Sequence, residues 1–261
     1  VGVLLPFAVR TGGFVLDLLR QGRWPEGSPF SDPYYLDALL ETAWVSGVST
    51  VLGLSLGTLA AIAMRGQVRW RPLMNLMGSL GSNFAGVPLA SALILLLGSQ
   101  GWLPGLLRPL GLEPPFDLYG RSGLMLAYLL FQLPLAMMIM AAPVAQLDRQ
   151  VEEAAWTLGA GPVRYWWRVG LPVLAPSLIE AASLLFANAA AAYATPFALS
   201  GTSANVLAVR IAAAVSGDIF EDPSLPQQLS LMLLLLLLAV LGLGLWASRA
   251  LRQRLDGGRQ R

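Results

Sequence analysis

Residues 229–246 read LSLMLLLLLLAVLGLGLW, eighteen residues with a single serine and no charge. A helix of that length covers about 27 Å, close to the ~30 Å hydrocarbon core of a bilayer. A soluble helical bundle needs a polar face on each helix, and this segment offers none. Hydrophobic residues make up 56% of the 261 and charged ones only 12%, where an ordinary soluble domain carries about 25% charged. The fold class that follows is an all-α polytopic membrane protein with about six transmembrane helices.

Segments 42–64, 72–97, 123–146, 173–199 and 228–247 each reach spanning length. Segment 1–19 is apolar but short and carries Arg10 and Asp17; it reads as the remaining part of a first spanning helix. All of 1–261 is taken as a single transmembrane domain. Glycines and prolines inside the spans are tolerable, because neighbouring helices re-satisfy the backbone. Trp24, Trp44, Trp70, Trp102 and Trp246 fall near span ends, as interfacial anchors do.

Arginine sets the orientation. One set of loops holds Arg65, Arg69, Arg71, Arg149, Arg164, Arg168, Arg249, Arg252, Arg254, Arg259 and Arg261. The other holds Arg20, Arg23, Arg108, Arg121 and Arg210 among an excess of Asp and Glu. The arginine-rich side is expected to be cytoplasmic, and six spans then put both termini there. The acid excess outside suits a cationic solute, although the positive-inside bias produces much of it.

The chain contains no Cys, no His and no Lys. Thiolate or imidazole ligation of a metal, haem or cluster is thereby excluded, as are Cys/His nucleophile pairs and disulfides. A Walker A loop needs its lysine, so ATP hydrolysis must belong to a partner. No cofactor is expected and the chain itself is not an enzyme. The tail from Arg249 reads as a topology anchor, and no nucleic-acid partner is expected.

The most informative stretch is the cytoplasmic loop 147–172. Asp148 is placed to cap a short helix running to Leu158. Gly159 and Gly161 make a turn, and Pro162 opens a second short helix that stops near Gly170 and Pro172. Ala154 and Ala155 are small enough for close approach, and Glu153 offers a charge. Glu153-Ala154-Ala155, then Gly159, then Val169-Gly170-Leu171-Pro172 resembles the EAA motif of binding-protein-dependent ABC importer permeases with the MetI-like fold. The family usually has Ile where Val169 stands. Asp32-Pro33-Tyr34-Tyr35, the stretch from Asn83 to Leu89, and the stretch from Ala192 through Arg210 to Phe220 resemble the spermidine/putrescine-type branch.

The resemblance implies a type I importer permease in a bacterial inner membrane. Its EAA loop, here Glu153, Ala154, Ala155, Gly159, Val169, Leu171 and Pro172, would be a coupling helix seated on a cytoplasmic ABC ATPase dimer. Further implied partners are a second permease subunit (the same chain or a sister), a periplasmic or extracellular solute-binding protein, and the lipid bilayer. A polyamine-type solute is a guess. The plain alternative for the loop is an amphipathic surface helix that only joins two spans.

Polar residues inside spans are costly and draw attention. Asn83, Gln132, Asn188 and Tyr193 are candidates for a translocation path, against helix–helix hydrogen bonding for each. Glu180 either faces a cytoplasmic vestibule or pairs with an arginine. An ion-gradient-driven secondary transporter is the main competing function, and it lacks a convincing midplane carboxylate. A membrane-embedded enzyme is poorer still in catalytic groups.

Overall fold

The computed structural model describes residues 28–65, 72, 76, 78–79, 81, 85–110, 117–216 and 224–257. The expected first span 1–19, Asn83, most of 66–84 and the motif residues 217–220 lie outside the described residues. Within them the chain is helical throughout, with α1 (Pro33–Ala63), α2 (Val87–Leu97), α3 (Trp102–Leu107), α4 (Arg121–Ala145), α5 (Arg149–Thr157), α6 (Pro162–Tyr165), α7 (Leu171–Ala190), α8 (Ala194–Ser200), α9 (Leu207–Ser216) and α10 (Leu225–Gly257).

Among the described residues, five helical stretches are long and apolar enough to cross a membrane: Pro33–Ala63, Val87–Leu110, Arg121–Ala145, Pro162–Ala190 and Leu225–Arg254. A sixth arises if Ala194–Ser203 and Leu207–Ser216, bent by 69° at their junction, form one broken span. These are the proportions of a polytopic helical membrane protein.

The boundaries differ from the sequence expectation for local reasons. α1 begins well before 42 because the Asp32 carboxylate accepts from the Tyr34 N–H at 2.9 Å and Pro33 takes the first helical position. Asp37 and Glu41, which lie ahead of the expected span 42–64, ride on the helix, and Glu41 accepts from Arg121 Nε at 2.7 Å. Segment 173–199 is interrupted: α7 ends at Ala190 and α8 starts at Ala194. Pro196 falls in the first turn of α8, where a missing N–H breaks no helical bond. α10 runs past 247 into the arginine-rich tail, and Arg252 Nη2 pairs with Glu180 at 2.8 Å, the second of the two readings for Glu180.

The chain divides into two compact units, each assembled from segments distant in sequence. The first comprises the described residues of Val1–Ser46, Gly86–Met125 and Ala190–Leu238. Ala38, Leu207, Leu229 and Met232 form its buried centre. Thr42 ties two of its helices: its hydroxyl donates to the Ala38 carbonyl at 2.7 Å and accepts from the Leu207 N–H, the start of α9, at 2.8 Å. Arg210 donates to the Asn205 side chain at 3.1 and 3.2 Å and lies 4.7 Å above the Tyr34 ring.

The second unit comprises the described residues of Gly47–Ala85, Leu126–Ala189 and Ala239–Arg261. Leu54, Ala61, Ala136, Met137, Met140, Val144, Leu174 and Leu185 are buried together there. Small residues allow the close approach of α1 to α4. A Cβ on Gly57 would lie 2.7 Å from both the Ala136 Cβ and the Met137 backbone nitrogen. Gly57→Val therefore overpacks a backbone contact that has no flexible side chain to yield, at a cost of about 1–3 kcal/mol. Thermal unfolding in detergent should show a clearly lower Tm for Gly57→Val and no change for Gly47→Ala, whose Cβ meets nothing within 4 Å. An unchanged Tm for Gly57→Val would contradict the packing of α1 on α4.

Candidate functional site

The loop between α4 and α7 is built by three local devices. Asp148 caps α5, its Oδ1 accepting from the Gln150 N–H at 2.8 Å. Glu152 lies in the first turn, where a negative charge complements the helix dipole. At the other end the Gly159 N–H donates to the Trp156 carbonyl and the Ala160 N–H to the Ala155 carbonyl, both at 2.9 Å. This pair of bonds, with Gly159 at φ 79°, is a Schellman turn, and the left-handed conformation it requires suits glycine.

Beyond the turn, Pro162 opens α6 as expected, but the second short helix does not stop near Gly170. Trp166–Gly170 is a single π-helical turn that leads directly into α7, so Pro162–Ala190 is continuously helical. Pro172 is the reason a widened turn fits here. It lacks an N–H, and its ring would crowd the carbonyl four residues back in a regular α-helix.

Glu153, Ala154 and Gly159 are exposed together at the loop surface, and Ala155 is half-buried. Val169, Leu171 and Pro172 are half-buried at the base of α7 rather than on the same surface. α5 itself contains no buried residue. The loop also leaves large apolar side chains exposed: Trp156 and Leu158 (88% exposed) in and just after α5, and Val163 and Trp167 at the start of the stretch Pro162–Ala190. Sequence reasoning missed this, although Trp156, Leu158, Val163, Tyr165, Trp166 and Trp167 put six bulky apolar or aromatic residues within twelve positions.

Arg65, in the turn that closes α1 and two residues past its last residue Ala63, stands in the sequence only as a topology marker. In the structure its Nη1 donates to Glu152 Oε2 at 2.8 Å and its Nη2 to the Leu147 carbonyl. Both partners of the ion pair are largely buried, at 14% and 16% exposure. A cavity of about 680 Å³ opens beside it, with Arg65, Arg149, Glu152, Glu153, Trp156 and Trp166 in its wall. Among the described residues no group of three or more His, Cys, Asp or Glu comes together to hold a metal.

Of the candidate path residues, Asn83 lies outside the described residues, and Gln132, Asn188 and Tyr193 are each described within their own unit. Gln132 is fully buried, donates to Ser49 Oγ at 2.6 Å and accepts from Thr50 Oγ1 at 3.2 Å. These are helix–helix bonds between α1 and α4, the other of the two readings offered for it. Asn188 is exposed on α7. Tyr193, in the other unit, is 38% exposed and stacks on Phe197 with ring centroids 5.1 Å apart.

No protein-family model matches the chain. It is similar to the chloroplastic sulfate permease 2 of Chlamydomonas reinhardtii, 31% identical over 204 residues, 76% of this chain and 52% of that protein. It is 31% identical over 153 residues to the thiamine transport system permease protein ThiP of Escherichia coli, covering 58% of this chain and 28% of that one. A probable sulfate transport system permease protein cysT of Chlorokybus atmophyticus is 30% identical over 44% of this chain and 38% of its own length. The chain thus spans about half or less of the length of these curated relatives. None of the three is named for a polyamine, so the likeness to the spermidine/putrescine-type branch gains no support from them.

Two solved structures share the fold. One is a chain of a bacterial alginate ABC transporter crystallised in complex with alginate pentasaccharide-bound periplasmic protein, with a TM-score of 0.66 over 85% of this chain and 80% of that one. The other belongs to the inward-facing MetNI methionine ABC transporter, with a TM-score of 0.62 over 83% and 95%. At 15% and 17% identity they establish the fold alone: this chain is folded as an ABC transporter permease.

The Schellman turn yields a test of the loop geometry. A Cβ on Gly159 meets nothing within 4 Å, so Gly159→Ala carries only the left-handed backbone penalty of about 1–2 kcal/mol. Hydrogen exchange of the 158–160 amides should quicken by roughly five- to thirtyfold. Gly161→Ala, at φ −66° and equally open, should leave it unchanged.

Proposed function

We propose that this chain is the permease subunit of an ABC importer, forming the translocation path for a small solute and coupled through α5 and its Schellman turn to a separate ATPase. The observation that carries the reading is the loop. On a permease fold, it exposes Glu153 and Ala154 on the same short helix as Trp156, with Leu158 (88% exposed) at its end. A surface helix that only joins two spans has no reason to leave a tryptophan and a leucine uncovered beside an exposed carboxylate, whereas a docking helix has.

The proposed partners are a cytoplasmic ABC ATPase dimer on the arginine-rich side, a second permease subunit and a solute-binding protein on the opposite side. Glu153 is proposed to pair with a basic residue of the ATPase; its exposure leaves it open to do so. ATP hydrolysis then belongs to the ATPase and the chain acts as a mechanical relay. Sulfate is an anion and thiamine a cation, so relatives named for them do not fix the charge of the solute. The reading accordingly stops at a small solute and does not carry the polyamine guess forward. Gln132, Asn188 and Tyr193 are the described candidates for the path.

The test is capture of the ATPase encoded nearest to this chain, from detergent extracts, by wild type and by the double variant Glu153→Arg, Gly159→Val. Wild type should retain the ATPase and the double variant should lose about tenfold or more, having reversed an interfacial charge and strained the turn. Reconstituted uptake should require ATP. A wild-type chain that captures no ATPase and moves solute along an ion gradient would replace this reading with a secondary transporter.

A further inference from the structure

We infer that Arg65 is a positioning residue, the latch through which displacement of α5 is transmitted to α1; the transport consequence rests on the importer reading above. α5 has nine residues, and of its apolar ones Val151, Ala154 and Trp156 are exposed and Ala155 only half-buried, so neither its length nor apolar burial fixes it in place. The Asp148 cap organises its first turn but only from within the loop. What joins it to the spans is the Arg65 guanidinium, which holds Glu152 of α5 with one nitrogen and the Leu147 carbonyl, just past the end of α4, with another.

Three features make this tie mechanical rather than ornamental. First, both side chains of the ion pair are about 15% exposed, so water and salt screen the pair less than they screen a surface bridge. Second, the fork meets two acceptors that belong to different segments, and only a planar guanidinium presents parallel donors at such a spacing. Third, Arg65 sits in the turn that closes α1, its own N–H bonded to the Ile62 carbonyl of the last helical turn at 3.1 Å. A push on α5 therefore reaches the end of α1 through rigid groups. Without the fork, α5 remains attached through the peptide chain at Leu147 and Asp148 and through Gly159, both places where the backbone turns.

The experiment uses the absence of cysteine in the chain, which lets a spin label be placed on a single Gln150→Cys. Gln150 is exposed, next to the latch but outside it. The label should be immobilised with Arg65 and Glu152 intact, and should gain a mobile component in Arg65→Gln and in Glu152→Gln. Arg65→Lys, one compact charge in place of the fork, should fall between. Arg65→Glu combined with Glu152→Arg should recover part of the immobile signal, the Leu147 bond alone being lost.

In the complete complex, each single glutamine variant should still capture the ATPase. Solute moved per ATP hydrolysed should nonetheless fall at least threefold, with partial recovery in the charge swap. Loss of stability alone would lower both rates together and leave that ratio where it was. The latch is overturned if the label stays immobile in both glutamine variants, or if the label loosens and the ratio does not change. Should wild type capture no ATPase, the importer reading fails by itself, and the label spectra still decide whether Arg65 holds α5.

Discussion

A lipid interior supplies no hydrogen-bond partners, and this condition organises the described structure from the helix pattern down to single hydroxyls. Spans are helical because only a helix satisfies its own backbone. Where helices pause, side chains take over: Thr42 accepts the first N–H of α9, and the Thr195 hydroxyl accepts the Gly86 N–H at 2.9 Å ahead of α2. The same condition accounts for Gln132. An amide buried among apolar residues is costly unless both ends are matched, and Ser49 and Thr50 match them from one turn of α1.

The loop between α4 and α7 obeys the opposite solvent. There the polar groups face water without difficulty, and the unusual feature is apolar area left uncovered at Val151, Trp156 and Leu158. Charge inside the loop is arranged accordingly. Glu152 turns inward to Arg65, while its neighbour Glu153 is exposed, so adjacent identical side chains have separate tasks, one internal and one external.

How much of this was legible in the sequence depends on the range of the interaction concerned. Helical class and spanning lengths were readable from uninterrupted apolar runs, and the loop's cap and turn from Asp148 and Gly159, because each is decided within a few residues. The start of α1 was misplaced, since Asp37 and Glu41 look like loop residues until Arg121, eighty positions on, is seen to pair with Glu41. The π-helical turn was missed because Gly170 and Pro172 are stop signals in isolation, and only the packing of Trp166 and Leu174 favours continuation. Gln132 and Arg65 were visible as residues but not as partners, for the groups they bind lie more than eighty positions away. The loop's apolar patch was present in the composition of 156–167, but exposure is a property of the folded surface.

The widened turn at Trp166–Gly170 also makes the chain's length there significant. A π-turn holds one residue more than a regular turn, so the extra residue is absorbed within 166–170 and the residues on either side keep the faces they would have in an unbroken α-helix. Leu174, Ala181 and Leu185, beyond it, are buried in the core of their unit. Deleting a single residue from 166–170 should therefore close the widened turn into regular helix and leave those side chains on the same face, whereas a deletion within α7 would turn everything after it by about 100°. The widened turn is thus a place where the span has a residue to spare.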